Sequence, residues 1–300
     1  MNFLKLIRYQ NLAIIALAQV FIKFGLFANI ATALTPFHFA LLVLATVSIA
    51  AAGNIINDSF DLEIDKVNKP NKVLIGKKIS EARANSLYIL LTVTGVAIGF
   101  YLANHIGKPS FAAIFIVISA LLYLYASFLK GMLLIGNLLV SALVAMSLII
   151  VPVFDLFPAI SPENQSAFSG VFKIVLHFAA FAFSINLIRE IVKDLQDING
   201  DKKGGMNTLP IAIGRTRTVK IVFVLGVVMI LTVVLYIYEY LYTAQIPMLY
   251  FLIAIVAPLL YFCIKAWDAD TAKEYAILSR LLKIIMFLGI CSMPLITFYY

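Results

Sequence analysis

The 300-residue chain is 63% hydrophobic and only 13% charged, which excludes an ordinary soluble domain, where about 25% of residues are charged. Its net charge of +8 is spread unevenly along the sequence and is therefore no argument for nucleic-acid binding. The apolar residues come in long runs, which is typical of a polytopic membrane protein. The two cysteines lie in different runs and indicate buried free thiols rather than a disulfide. No polar stretch is long enough for a second domain, so residues 1–300 are predicted to form a single intramembrane domain.

Nine segments of the sequence have the length and composition of membrane-spanning helices, about 20 apolar residues each. Gly and other small residues within them suit close helix contacts, and the alternation expected of barrel strands is absent. The sequence therefore predicts an all-α, polytopic membrane protein with nine transmembrane helices. The predicted spans cover residues 12–34, 37–56, 84–103, 111–129, 133–154, 171–189, 219–238, 248–265 and 281–298.

The positions of Lys and Arg predict the orientation of these spans. If the N-terminus lies inside, the 23 bases fall on inner segments with only three exceptions, among them Lys23. This bias predicts a multi-pass protein of the inner or cell membrane, with the loops 57–83 and 194–218 in the cytoplasm. Lys23 is expected to reach the outer face by snorkelling, and residues 155–170 are expected to form an exposed outer connector.

A polar motif follows the second predicted span, where residues 54–72 read NIINDSFDLEIDKVNKPNK. In it, Asn54, Asp58, Asp61 and Asp65 stand at offsets of 0, 4, 7 and 11. At 3.6 residues per turn these positions fall within roughly 60° of one another around a helix. Carboxylates on one face repel one another unless a cation binds there, and oxygen-rich clusters suit Mg²⁺ or Ca²⁺. The spacing therefore predicts a divalent-metal site.

The same offsets recur 136 residues later, counted from position 54 to position 190, at Glu190, Asp194, Asp197 and Asp201. Each motif is expected to end an apolar span and to open a charged loop on the inner face. We therefore predict two pseudo-repeated four-helix halves whose acids hold divalent metal ions between them. Bases in the same segments indicate a phosphate or diphosphate ligand, and the surrounding apolar helices suit a hydrocarbon tail. These bases are Lys69, Lys72, Arg189, Lys193, Lys202 and Lys203.

The two motifs resemble those of the UbiA superfamily of intramembrane prenyltransferases. The first family motif, N-D-x-x-D-x-x-x-D, stands here at positions 57–65. The second, D-x-x-D-x-x-x-D, stands at positions 194–201 and is followed by Thr-Leu-Pro at 208–210. A Tyr-rich segment that ends in a lysine, at positions 123–130, is similar to a third element of the family. The resemblance covers essentially the whole chain, including the nine spans.

This resemblance implies Mg²⁺-dependent transfer of a prenyl group, geranylgeranyl in the most similar branch, from an isoprenyl diphosphate to a lipophilic acceptor. Asp58, Asp61, Asp194 and Asp197 are expected to be catalytic. Metal and bases would neutralise the departing diphosphate, and a carbocation shielded from water would be attacked by the acceptor. The implied metal ligands are Asn54, Asp58, Asp61, Asp65, Asp194, Asp197 and Asp201. The implied diphosphate ligands are Asn57, Lys69, Tyr125, Lys130, Arg189 and Lys193.

Within the family, both motif stretches are most similar to the branch that prenylates geranylgeranylglyceryl phosphate. Lys69 departs from the usual pattern, because the family commonly has Arg before Pro70, and Lys lacks the bidentate phosphate contact of Arg. An acceptor that carries its own phosphate needs further bases. The sequence offers six candidates on the inner side: Lys72, Lys77, Lys78, Arg83, Arg215 and Arg217.

Three alternatives stay open at this point, and one of them is a membrane scaffold that binds divalent metal without turnover. The acceptor of a prenyltransferase is in some branches aromatic, such as 4-hydroxybenzoate or a quinone precursor. A cation-coupled transporter also uses acids in repeats, although it places them near the bilayer midplane. The expected partners are the isoprenyl diphosphate, the lipophilic acceptor and the bilayer, with no nucleic acid and no obligate protein partner. Asn137 is expected to make a helix contact and His177 to be packed inside its span.

Overall fold

The computed structural model describes residues 2–71 and 73–297. Over these ranges the regular structure is helical and includes no β-strand. Nine helical segments of the described chain are long and apolar enough to cross a membrane, which confirms the predicted fold class and the number of spans. They are α1 (Tyr9–Leu26), α2 (Pro36–Phe60), α3 (Glu81–His105), α4 (Pro109–Ser127), α5 (Ile135–Ala159), α6 (Gln165–Lys203), α7 (Arg215–Leu241), α8 (Gln245–Trp267) and α9 (Ala272–Thr297).

Several of these helices begin at side-chain caps that the sequence supplies. Thr35 accepts a hydrogen bond from the backbone N–H of His38 at the start of α2, and Pro36 occupies the first helical position. Ser80 caps α3 in the same way. At the start of α9, Thr271 and Glu274 form a reciprocal capping box. Such caps satisfy N–H groups that have no partner within the helix, so they fix where each span starts.

The first span is shorter than predicted, because α1 ends at Leu26 rather than near residue 34. Thr35 is extended and is followed by Pro36, which cannot continue a helix from the preceding segment. The backbone N–H groups of Ala33 and Leu34 instead donate to Asp155, at 2.9 and 2.8 Å. The apolar sequence of residues 27–34 therefore forms a connector that is held by the end of α5.

The predicted charged loops are largely helical, which corrects both loop assignments. α6 continues through the second acidic motif to Lys203. After α2, residues Leu62–Asn68 form a further short helix. Lys193 lies one turn from Glu190 and donates to its carboxylate. Such a pair stabilises the helical conformation of this charged segment of α6. The acids thus lie on helical surfaces, and only the shorter segments 69–80 and 204–208 connect the helices there.

The chain divides into two compact units. The first contains residues 1–130 and 146–176, and the second contains residues 131–145 and 177–300. In the first unit α2 packs along α3 and α4, and in the second unit α7 packs on α8, which packs on α9. The predicted four-helix pseudo-repeat and the single-domain assignment stay predictions.

Two glycines bring α3 close to its neighbours in the first unit. A Cβ atom added at Gly95 would lie 2.5 Å from the Ile49 side chain of α2, and one added at Gly99 would be closer still to the Phe115 ring of α4. Gly95 and Gly99 are four residues apart and share one face of the helix. Small residues at this spacing are a common means of close helix contact in membranes.

A buried ion pair in the first unit contradicts the predicted exposure of Lys23. Its ammonium group donates to the Asp155 carboxylate (2.7 Å), the Thr32 hydroxyl (2.7 Å) and the Leu34 carbonyl (2.9 Å). Lys23 is 8% exposed and Asp155 is fully buried. Lys23 therefore does not snorkel, because each of its three N–H groups has an internal acceptor. The predicted connector 155–170 is also wrong at both ends, since Asp155 is buried and α6 begins at Gln165.

Candidate active site

The first acidic motif lies at the end of α2 and on the short helix that follows it. Asp61 joins the two helices, and the helical hydrogen bonding continues through it. Its N–H donates to the Asn57 carbonyl at 3.0 Å, and the Asp65 N–H donates to the Asp61 carbonyl at 2.8 Å. The backbone hydrogen bonding therefore continues from α2 into the short helix, and a shared face for the four motif residues stays a prediction.

Two of these acids are paired with cations from other parts of the first unit. Arg8 donates to the Asp58 carboxylate at 2.5 Å, and Lys130 donates to the Asp61 carboxylate. Asn57 also donates its amide N–H to Asp61, at 2.9 Å. Lys130 lies on the turn after α4, and its role as a diphosphate ligand stays a prediction. Arg8 entered the sequence analysis only as an inner-side base, so its place at the motif was missed.

Arg8 has an unusual backbone. Its φ of 54° puts it in the left-handed region, between the short N-terminal helix Asn2–Leu6 and α1. This conformation is uncommon for a residue that is not Gly, and it persists only where surrounding contacts hold it. One such contact is the Arg8–Asp58 pair, and another is the hydrogen bond from the Asn54 amide to the Ile7 carbonyl, at 2.9 Å. Asn54, an expected metal ligand, thus contacts the N-terminal segment.

Asp65 lies on the short helix Leu62–Asn68 that follows α2, and its side chain is partly buried. Burial raises the pKa of its carboxyl, and the neighbouring Asp61 carboxylate raises it further, while Lys69 and Lys130 act in the opposite direction. Lys69, an expected diphosphate ligand, ends the short helix Leu62–Asn68. Tyr125, another expected ligand, is partly buried near the end of α4. Asp58 adds to the negative charge near Asp65, so the pKa of this carboxyl reflects both acids and bases of the first motif.

The second acidic motif lies within α6 in the second unit. The Asp194 carboxylate accepts a hydrogen bond from the Asn137 amide of α5, at 2.9 Å. The Asn137 carbonyl accepts from the Ser141 hydroxyl at 2.6 Å, and that hydroxyl accepts from the Asn186 amide at 3.2 Å. Asn137 therefore makes the predicted helix contact, but the contact is with a motif acid. A lone Asn inside an apolar span was the only sequence signal for it.

Glu190 is the most heavily paired acid of this motif. It accepts from Arg189 at 3.1 Å and from Lys193 at 2.9 and 2.8 Å, and it is buried. The two expected diphosphate ligands therefore lie beside it. Asp197 and Asp201 follow on the same face of α6 by helical periodicity, and Asp201 is buried near the end of the helix.

The bases that were considered for the acceptor phosphate are mostly engaged elsewhere or exposed. Lys77 donates to the Pro70 carbonyl at 2.9 Å, and Arg215 donates to the Asp270 carbonyl and carboxylate at 3.2 and 3.3 Å. Lys78, Arg83 and Arg217 are exposed. Lys72 lies outside the described residues.

The model of the UbiA prenyltransferase family matches residues 18–290. This chain belongs to that family. The match confirms the resemblance drawn from the two motifs and the predicted class of enzyme, and with the nine spans it makes the protein an integral, multi-pass membrane protein.

Individual relatives of this UbiA-family chain are similar over most of their length. A digeranylgeranylglyceryl phosphate synthase from Korarchaeum cryptofilum is 34% identical over 250 residues, which are 81% of this chain and 80% of that protein. One from Thermococcus sibiricus is 34% identical over 264 residues, covering 86% and 85%. A solved structure that concerns digeranylgeranylglyceryl phosphate synthase has a TM-score of 0.63 at 22% identity, covering all of this chain and 98% of that one.

A UbiA homologue from Archaeoglobus fulgidus, solved with DMAPP and Mg²⁺, has a TM-score of 0.60 at 17% identity and covers 98% and 99% of the two chains. In the present chain the first motif offers oxygen donors, which are the ligands Mg²⁺ prefers. Within the described residues the buried Asn57 Oδ1 atom has no hydrogen-bond partner. In the described part of the chain, no group of three or more Asp, Glu, His or Cys side chains is arranged so that it could hold a metal ion. The donors fit Mg²⁺, while two of the carboxylates are held by Arg8 and Lys130.

Proposed function

We propose that this protein transfers a geranylgeranyl group from its diphosphate to geranylgeranylglyceryl phosphate and releases diphosphate. The observation that carries the proposal is the similarity, over about four fifths of both chains, to digeranylgeranylglyceryl phosphate synthases such as that of Korarchaeum cryptofilum (81% and 80%). The chemistry of the two motifs supports it, because both present acids next to bases at the ends of apolar helices. A substrate with a diphosphate head and a long apolar tail matches both properties.

The first motif is proposed to bind the diphosphate head through Mg²⁺. Asp58, Asp61 and Asp65 supply carboxylate oxygens, and the buried Asn57 carbonyl oxygen is a further donor. Lys130 and Arg8 already donate to motif acids, so both lie where they would contact a diphosphate that those acids held through Mg²⁺. Bound Mg²⁺ would neutralise the charge that develops on the departing diphosphate.

The second motif is proposed to do the same through Asp194, Asp197 and Asp201, with Lys193 as a phosphate ligand. Asn137 holds the Asp194 carboxylate by a hydrogen bond and so acts as a positioning residue. Metal ligands are commonly oriented by such neighbouring hydrogen bonds. Removal of this bond is therefore expected to weaken metal binding rather than to remove a ligand.

In the proposed reaction the bond between C1 of the prenyl group and the diphosphate oxygen breaks, and the electron pair leaves with the diphosphate. A bond then forms between C1 and the free glyceryl hydroxyl oxygen, and the hydroxyl proton is released. The apolar spans exclude water, which would otherwise capture the allylic cation. The protein environment thus selects the bound hydroxyl over water as the nucleophile.

The proposed orientation places both motifs on the cytoplasmic side of the inner or cell membrane. The excess of Lys and Arg near the two motifs supports this orientation through the positive-inside rule. Single cysteines introduced at Ser59 and Asn207 should resist labelling by an impermeant reagent in intact cells, whereas one at Ser166 should be labelled. Labelling at Ser59 and Asn207 from outside would contradict the orientation.

The acceptor assignment is tested by supplying the purified protein with geranylgeranyl diphosphate and a panel of acceptors. Geranylgeranylglyceryl phosphate is expected to be prenylated much faster than its dephosphorylated form, 4-hydroxybenzoate or a dihydroxynaphthoate. Faster prenylation of an aromatic acceptor would overturn the assignment of a glyceryl acceptor, but the protein would still be a prenyltransferase. Ion flux through proteoliposomes without release of diphosphate would instead favour the transporter alternative.

A further inference from the structure

Lys283 is a charged residue of α9, near the start of its predicted membrane span. It lies eleven residues after Ala272, the first residue of α9, which is about 16 Å along the helix axis. The side chain is partly buried. Ionisable residues within a membrane span are rare, and they commonly mark a functional site. Sequence reasoning counted Lys283 only among the inner-side bases.

A second cation, Arg189 of α6, lies next to Lys283 in the second unit. The Arg189 guanidinium lies within electrostatic range of the Lys283 ammonium. The packing of α6 on α9 explains the proximity. A Cβ atom added at Gly289 would lie 2.7 Å from the Phe181 ring, so the two helices touch there and run antiparallel towards the Arg189–Lys283 pair.

The positive charge at this place is only partly compensated. The Arg189 side chain donates one N–H to Glu190, but its buried Nε has no acceptor within residues 2–71 and 73–297. Glu190 also accepts twice from Lys193. Within the same ranges no carboxylate forms an ion pair with Lys283. Arg189 and Lys193 therefore both donate to Glu190, and Lys283 adds a third positive charge within electrostatic range of Arg189.

This cationic pair is separate from the acidic face of α6. Counted at 3.6 residues per turn, Glu190, Asp194, Asp197 and Asp201 cluster on one side of the helix, and Arg189 lies roughly 110° around it. An anion held by Arg189 and Lys283 is therefore not the one that the carboxylates would bind through a metal. The reaction proposed above has a second anion of this kind, the phosphate of the acceptor.

We infer that Arg189 and Lys283 bind the phosphate monoester of the lipid acceptor. The inference rests on the proposed function, and it assigns Arg189 to the acceptor rather than to the diphosphate. A guanidinium with an unused Nε–H can form the bidentate contact that phosphate favours. The surrounding spans α6 and α9 would contact the alkyl chain of the same molecule. The exposed inner-side bases considered from the sequence are not needed for this role.

The test replaces Lys283 by Met, which keeps the length of the side chain and removes its charge. The KM for geranylgeranylglyceryl phosphate should rise by roughly 10- to 100-fold, the size expected for the loss of a charge-assisted hydrogen bond. The KM for geranylgeranyl diphosphate should change less than about two-fold. Lys283→Arg should restore most of the acceptor affinity, and Arg280→Gln, an exposed change one turn away on the same helix, should match the wild type.

Two further measurements separate the possible outcomes. With dephosphorylated acceptor, the wild type and Lys283→Met should have the same KM, because the group that Lys283 contacts is missing. Binding of geranylgeranylglyceryl phosphate to the detergent-solubilised protein, measured by calorimetry without prenyl diphosphate, should weaken by the same factor. A rise in the KM for the prenyl diphosphate, or unchanged constants for both substrates, would overturn the inference. If the wild type itself fails to prenylate this acceptor, the proposed function is wrong, and the binding measurement still tests the phosphate site.

Discussion

The two acidic motifs have the same spacing in the sequence but differ in how the protein neutralises them. In the first motif, Asp58 and Asp61 pair with cations that lie 50 and 69 residues away in the chain. In the second, Asp194 is held by a neutral amide, and the nearby cations are neighbours on the same helix. The repeated pattern thus specifies where the acids stand, whereas the partners of each acid are specific to its own surroundings.

Replacing one acid of either motif is expected to have the largest effect on turnover. Asp58→Asn and Asp194→Asn should each lower turnover by about 10³-fold, the upper part of the range for removing one preorganised electrostatic contact. Turnover, helical content by circular dichroism and thermal stability should be measured together. If one variant retains near-normal turnover with a normal fold, its motif is not part of the active site, and the two motifs are not equivalent.

A control for the acid substitutions is available on the same segment. Glu63 is exposed and, within the described part of the chain, its one ion pair is with Lys66 on the surface of the short helix. Glu63→Gln removes one negative charge near the first motif without changing a proposed ligand, so turnover should stay close to the wild-type value.

The second prediction concerns Lys130, the cation that pairs with Asp61 of the first motif. Lys130→Met should lower turnover by about 10²-fold, because the departing diphosphate loses a positive contact, and Lys130→Arg should recover part of it. The KM for the prenyl diphosphate should rise in the Met variant, while the acceptor KM stays unchanged. The opposite split would move Lys130 to the acceptor side of the reaction.

The sequence predicted helical positions for the acids but did not predict their partners, for a physical reason. Helical periodicity is a local property, so Asp58, Asp61 and Asp194 were found from spacing alone. Arg8 and Asn137 contact these acids through tertiary packing, and a local sequence pattern does not predict such contacts. The same limit explains the error at Lys23, whose partner Asp155 is 132 residues away.

The loop assignments failed for a related reason. Charged residues after an apolar run predict that the helix ends there. In α6, however, Glu190 and Lys193 form a one-turn pair that stabilises the continuation of the helix to Lys203. Hydropathy locates the part of a helix that lies in the hydrocarbon region. It does not locate the end of the helix, which depends on local side-chain contacts.

A smaller effect is expected from the neutral partner of the second motif. Asn137→Ala should raise the Mg²⁺ concentration for half-maximal turnover by roughly 10-fold, as is typical when a group that orients a metal ligand is removed. Turnover should recover at high Mg²⁺, unlike that of Asp194→Asn. A loss that excess Mg²⁺ does not relieve would contradict a positioning role for Asn137.

The smallest effect on activity is expected at the buried ion pair outside both motifs. Lys23→Met would leave the Asp155 carboxylate buried without its cation, which should lower the free energy of unfolding by about 3–5 kcal/mol. Turnover per folded molecule should remain that of the wild type, and its Mg²⁺ dependence should not change. A specific loss of turnover in folded protein would show that this pair contributes to the reaction.

The central claim is that the protein catalyses Mg²⁺-dependent prenyl transfer to a phosphate-bearing glyceryl lipid. The most direct test incubates purified protein with geranylgeranyl diphosphate and geranylgeranylglyceryl phosphate and measures both products, diphosphate and prenylated lipid, by mass spectrometry. The account predicts one diphosphate for each molecule of digeranylgeranylglyceryl phosphate, no turnover with chelator and recovery when Mg²⁺ is restored. Undiminished transfer with the metal removed, or diphosphate released without a prenylated lipid, would contradict it.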